Sequence, residues 1–161
     1  MSKVYLEAAE QAGYEINNDM NGYKQEGFGL MDTTIYGGRR QSTSVTYLHP
    51  VINRRNLTVI TNTIVNKVII ENNKAVGVEC TKGKEIKKIH AENEVILSAG
   101  AINSPQLLML SGIGNAEELK KLDISVQHDL RGVGENLQDH LETYLQYECT
   151  KPVTPVSYTH L

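Results

Sequence analysis

The sequence predicts an α/β protein that carries an antiparallel β-meander. Three observations lead there. Residues 64–90 hold three runs rich in β-branched residues, separated by two short polar turns. Val95-Ile96-Leu97 is an apolar run without alternation, the pattern of a strand buried on both faces. Four small residues and then a leucine-rich segment follow it, which is strand–turn–helix order.

Taken in order, the first expected element is a helix capped by Ser2. Tyr5, Ala8, Ala9 and Ala12 lie on one face of it, and Gly13 stops it. Residues 14–40 have little periodicity and are punctuated by Gly22, Gly27, Gly29, Gly37 and Gly38, which reads as one long loop of a functional kind. Ser42 or Thr43 caps a second short helix carrying Val45 and Leu48, and Pro50 kinks or ends it. Leu57, Val59 and Thr61 alternate as in a strand. The meander follows, turning at Glu71-Asn72-Asn73-Lys74 and at Lys82-Gly83-Lys84, with one wet face that includes Lys82, Lys84, Lys87 and Lys88. Cys80 alternates with Val76 and Val78 and reads as a core thiol. After the buried strand at 95–97, Ser104 and Pro105 stand as N-cap and first residue of a helix holding Leu107, Leu108 and Leu110, which ends at Ser111-Gly112-Ile113-Gly114. Asn115 with Glu118 makes a capping box for a last helix whose inner face is Ala116, Leu119 and Leu122.

Composition narrows the function by exclusion. The 161 residues are enough for one domain with a real core. A net charge of −3 speaks against a basic nucleic-acid binder. No apolar run approaches the roughly 20 residues that cross a bilayer, and no charged-then-apolar segment opens the chain, so an intracellular protein without a signal peptide is expected. Cys80 and Cys149 are too few and too far apart for a disulfide scaffold or a metal knuckle.

The strongest chemical candidate is the unit at 94–111. Small residues at 98–101 let backbone approach a ligand closely, and a helix N-terminus attracts phosphate; the plain alternative is tight helix–strand packing. Gly112-Ile113-Gly114 and Gly132-Val133-Gly134 both lack a glycine at the sixth place and do not follow a strand, so neither is a dinucleotide fingerprint. His140-Leu141-Glu142 opens like a deaminase zinc motif but has no Pro-Cys-x-x-Cys after it. Asp139-His140 reads as a pair making local turn bonds rather than half of a catalytic pair.

The run from Gly100-Ala101-Ile102-Asn103-Ser104-Pro105 through Gln106-Leu107-Leu108-Met109-Leu110 to Ser111-Gly112-Ile113-Gly114 resembles the second signature of the glucose–methanol–choline (GMC) flavin oxidoreductases. Further landmarks resemble the same family: Gly37-Gly38-Arg39-Arg40 with Ser42-Thr43, Asn56-Leu57-Thr58-Val59, Ala75-Val76-Gly77-Val78-Glu79, and Gly132-Val133-Gly134-Glu135-Asn136-Leu137-Gln138-Asp139-His140. Residues 141–153, and Asn21-Gly22-Tyr23 with Gln25-Glu26-Gly27-Phe28-Gly29, are most similar to the family's bacterial choline-oxidising members. The resemblance runs from about residue 4 to residue 154.

The resemblance implies part of an FAD-binding Rossmann-like domain with an inserted antiparallel β-meander. It implies an FAD-dependent alcohol oxidation, with choline, oxidised to betaine aldehyde, as the leading small-molecule substrate. It implies no nucleic-acid partner and a cytoplasmic location, free or peripheral to the inner membrane. Ser98, Ala99, Gly100 and Ala101 are placed beside the ADP half of FAD, with the helix entry at Ser104 and Pro105, and the backbone of Val65 at the adenine edge. The family's opening G-x-G-x-x-G turn and its catalytic His have no counterpart in these residues. Residues 1–155 are therefore expected to be an internal fragment, inactive alone, and 156–161 a tail outside the family pattern. The rival expectation is a small non-catalytic domain whose turn at 98–105 holds another anion or nucleotide.

Overall fold

The computed structural model describes residues 2–145. The described residues divide into two compact units, residues 2–58 with 144–145, and residues 59–143. The expected tail at 156–161, the stretch 146–155 and Cys149 lie outside the described residues.

In the first unit, α1 (Ser2–Gln11) ends before Gly13, whose φ of +83° is the left-handed stop. Ala9 is buried, and the rings of Tyr5 and Tyr14 meet Phe28 at centroid distances of 5.5 and 4.9 Å. The rest of the expected stripe, Ala8 and Ala12, stays exposed. The loop after α1 is organised by hydrogen bonds rather than apolar packing. Asn17 Nδ2 donates to the carbonyls of Lys24 (2.6 Å) and Glu26 (3.3 Å), and Asn17 Oδ1 accepts from the Asp19 N–H (2.9 Å). Gly37 and Gly38, at φ +57° and +73°, form the two-residue turn between β1 (Ile35–Tyr36) and β2 (Arg39–Arg40). The second expected helix is a π-helical turn at Ser44–Leu48 running into a 3-10 turn at His49–Val51 that contains Pro50. Of its two expected caps, Ser42 accepts from the Val45 N–H through Oγ (3.3 Å), while Thr43 makes no side-chain cap bond.

The second unit is built on three antiparallel strands, β3 (Ile64–Glu71), β4 (Lys74–Lys82) and β5 (Glu85–His90), in the order β3-β4-β5. Asn72 and Asn73, at φ +51° and +61°, close the first turn; asparagine tolerates that conformation better than other side-chain-bearing residues. A bulge interrupts the β3–β4 ladder between Val65 and Lys67, and the intervening Asn66 donates through Nδ2 to Thr81 Oγ1 (2.8 Å). Gly77 is required by close approach: a Cβ there would sit 2.3 Å from the Ile89 carbonyl oxygen. Cys80 is a free, buried thiol as expected, 3% exposed.

Several expectations fail here. Leu57, Val59 and Thr61 form no strand, because alternation supplies a face but not a partner, and pairing begins only at Ile64. The meander lacks a single wet face. Lys87 stands opposite Cys80 and Lys88 opposite Glu79, and adjacent strand residues point to opposite faces. Residues 95–97 form no strand either. Ile96 is 74% exposed, and among the described residues no strand pairs with this run.

Helix α2 spans Gly100–Leu110, so it starts a full turn before the expected cap at Ser104, and Pro105 lies inside it. Ser104 Oγ instead accepts the Ala99 N–H (3.0 Å), bonding the helix entry from within. Two short strands, β6 (Ile113–Gly114) and β7 (His128–Asp129), pair in parallel around α3 (Ala116–Lys121). The α3 entry is shared between Asn115, whose Oδ1 accepts from the Glu117 N–H, and Asp129, whose Oδ1 accepts from the Ala116 N–H, both at 3.0 Å. The expected partner Glu118 does not supply the second bond. Leu119 is the most buried side chain of this unit, but Leu122 is exposed, against expectation.

Ile64, Ile86, Ile96, Ile102 and Leu110 leave a broad apolar surface on the second unit. The 161-residue chain alone is therefore expected to bind a hydrophobic dye and to self-associate. A monomeric, dye-silent preparation with one sharp unfolding transition would contradict this.

Candidate functional site

A groove of about 520 Å³ runs along one side of the second unit. Its walls are Ile64 and Val65 of β3, Val78 of β4, the segment 95–99, and Asn103, Gln106, Leu107 and Leu110 of α2. No charged side chain lines it. The aliphatic walls suit a flat, weakly polar ring, and Ser98, Asn103 and Gln106 supply hydrogen-bonding groups at a few points.

The fold brings some of the expected site residues together and separates others. Val65, Ser98 and Ala99 line the groove. Ala101 and Pro105 face a different hollow, of about 330 Å³, closed by Gly134, Glu135, Asn136, Leu137 and Gln138. Ser104 lines neither, and its hydroxyl oxygen holds the Ala99 amide. Gly100 is the first residue of α2 at φ +87°, a conformation that favours glycine. A Cβ on it would meet nothing within 4 Å, which argues against tight packing as the reason for small residues at this turn. Because the first amides of a helix have no partner inside it, the N–H groups of the opening turn at Gly100, Ala101 and Ile102 are left to outside partners, whereas that of Ala99 is already engaged by Ser104 Oγ.

The sequence reading missed Asn103 and Gln106. Their signal was present: polar residues three apart on an otherwise apolar helix share a face. The signature's exit, by contrast, is structural. Ser111 is buried, its Oγ donates to the Leu107 carbonyl (2.6 Å) and accepts from the Val68 N–H (2.8 Å). Gly112, at φ +85°, sits where a Cβ would fall 2.3 Å from the Ser125 carbonyl oxygen. The Asp139-His140 pair makes the expected local bond, with the His140 N–H donating to Asp139 Oδ1 (2.8 Å). Among the described residues, no helix is long and apolar enough to cross a membrane.

The model of the GMC oxidoreductase family matches residues 1–142. A mouse (Mus musculus) protein named mitochondrial choline dehydrogenase is 56% identical over 154 residues, covering 96% of this chain and 26% of the mouse protein. An oxygen-dependent choline dehydrogenase of Photobacterium profundum is 51% identical over 152 residues, covering 94% of this chain and 27% of that protein. The chain thus spans about a quarter of the length of these relatives. Among solved structures, an FAD-dependent oxidoreductase from Chaetomium thermophilum superposes with a TM-score of 0.70 at 29% identity, over 81% of this chain and 23% of that one.

Proposed function

The chain belongs to the GMC oxidoreductase family, and from that premise we propose that residues 1–155 are a section of the FAD-binding domain of an alcohol dehydrogenase that oxidises choline to betaine aldehyde. The observation that carries the substrate is the identity of 56% and 51% to two proteins named choline dehydrogenase, across nearly the whole chain.

The residues present fit FAD. An uncharged groove with aliphatic walls accepts a purine ring, and the open space around Gly100 gives backbone amides access to a phosphate. In this reading Val65 presents its backbone to the adenine edge, Ser98, Ala99 and Gly100 lie along the ADP half, and Ala101, Ser104 and Pro105 shape the helix entry that supports them. Bound FAD supplies a hydride acceptor for the alcohol carbon. The chain's own contribution is to bind, orient and exclude water, and no side chain among the described residues is assigned proton transfer. We place the protein in the cytoplasm, free or peripheral to the inner membrane; the mouse relative's name puts that protein in mitochondria.

Anaerobic addition of choline to the purified full-length protein is expected to bleach its flavin absorbance, and to do so faster than ethanol does. The 161-residue chain alone is expected to reduce no dye with choline, since positioning and proton transfer each contribute large rate factors. A flavin that choline leaves oxidised, or a full-length protein without flavin, overturns the reading.

A further inference from the structure

We infer that Ser111 is a positioning residue for the cofactor, a hydroxyl strap that sets the spacing of the two walls between which the adenine half lies. The inference rests on the proposed FAD seat and deepens it. The groove takes one wall from β3, with Val65, and another from α2, with Asn103, Gln106 and Leu107. The Ser111 hydroxyl ties these walls together, donating to the Leu107 carbonyl in the last turn of α2 and accepting from the Val68 N–H on β3, 43 residues away in sequence.

Three features make this more than a helix-end bond. The Val68 N–H points away from β4, at the edge strand of the meander, where the sheet offers it no partner. Both Val68 and Ser111 are buried, at 6% exposure each, so water does not readily replace the hydroxyl. Finally, Ser111 does not line the groove; with Lys67, Ile70 and Gln127 it borders a separate hollow. It therefore acts on the groove's contents only through the position of its walls. Val68 lies three residues beyond Val65, across the bulge at Asn66. Bulges let a strand bend, so the segment that carries Val65 needs an anchor on its far side.

The test compares Ser111→Ala, Ser111→Thr and Leu119→Ala in the full-length protein stripped of flavin. FAD affinity is read by fluorescence titration, and amide exchange of the peptide containing Val68 by mass spectrometry. Ser111→Ala is expected to bind FAD about tenfold more weakly, the effect of one buried donor losing its partner, and to exchange the Val68 amide faster. Ser111→Thr, which keeps the hydroxyl, restores both. Leu119→Ala removes a core side chain outside the groove and lowers the melting temperature while leaving FAD affinity within about twofold of wild type. Ser111→Ala with wild-type affinity overturns the inference alone, as does equal FAD loss in Leu119→Ala, which would reduce the effect to general instability. Wild-type protein that binds no FAD overturns the functional reading itself.

Discussion

Gly100→Leu in the full-length protein is expected to leave a folded chain that retains almost no flavin after gel filtration, a loss of affinity on the order of 100-fold or more. Gly100 opens α2 beside a groove-lining turn, and the space a side chain would enter holds no protein atom within 4 Å. A leucine there occupies volume that the proposed cofactor needs. Its φ of +87° adds backbone strain for any side chain, of about 1–2 kcal/mol, so Gly100→Ala is the matched control. It carries the same strain with little bulk, and it should keep most of the flavin. Val65→Ile should also cost little, because a backbone contact survives a side-chain change that suits a strand. The flavin-to-protein absorbance ratio reads the result, with circular dichroism confirming the fold. A folded Gly100→Leu protein with full flavin content would show that the turn does not approach the cofactor.

Gly112→Ala is expected to destabilise the protein by about 3 kcal/mol or more, among the larger effects a single methyl can have. The backbone angle is nearly that of Gly100, but the surroundings differ. The added Cβ would lie 2.3 Å from the Ser125 carbonyl oxygen and 3.1 Å from the Gln127 nitrogen. Neither is a flexible side chain that can swing aside. The Gly112 carbonyl also accepts from the Gln127 and His128 amides, so any shift loosens the β6–β7 pairing. Gly132→Ala, with open space around it and no left-handed φ, should be nearly neutral. Urea midpoints of the three proteins check the order. A Gly112→Ala midpoint equal to that of Gly132→Ala would mean the close approach is relieved at no cost.

These two glycines show how far a motif can be read. The sequence alone marks 98–114 as a strand-end, turn and helix with small residues at both ends, and its likeness to GMC oxidoreductases is carried by the same residues. It does not say that the first glycine borders empty space while the later one is wedged against backbone. Similarly, Ser104-Pro105 looks like a helix start by local preference. The helix begins a turn earlier because Gly100 can take a left-handed φ and the Ser104 hydroxyl can bond the Ala99 amide from inside. Local propensity ranks the available caps, but it does not count the partners each amide will find.

What the sequence determined by itself is what depends on near neighbours: the meander with its Asn72-Asn73 and Gly83 turns, the Gly13 and Gly112 helix stops, and the Asn115 cap. Turn angles and strand alternation are set within a few residues, so they are written locally. The tertiary structure alone decided which faces are covered and which groups meet across long separations. It joined Ser111 to Val68, brought Val65, Asn103 and Gln106 to one groove, divided Ala101 and Pro105 from it, and left residues 95–97 without a paired strand. Burial and long-range hydrogen bonds need a partner surface, and the apolar pattern of a segment records its need for one without naming it.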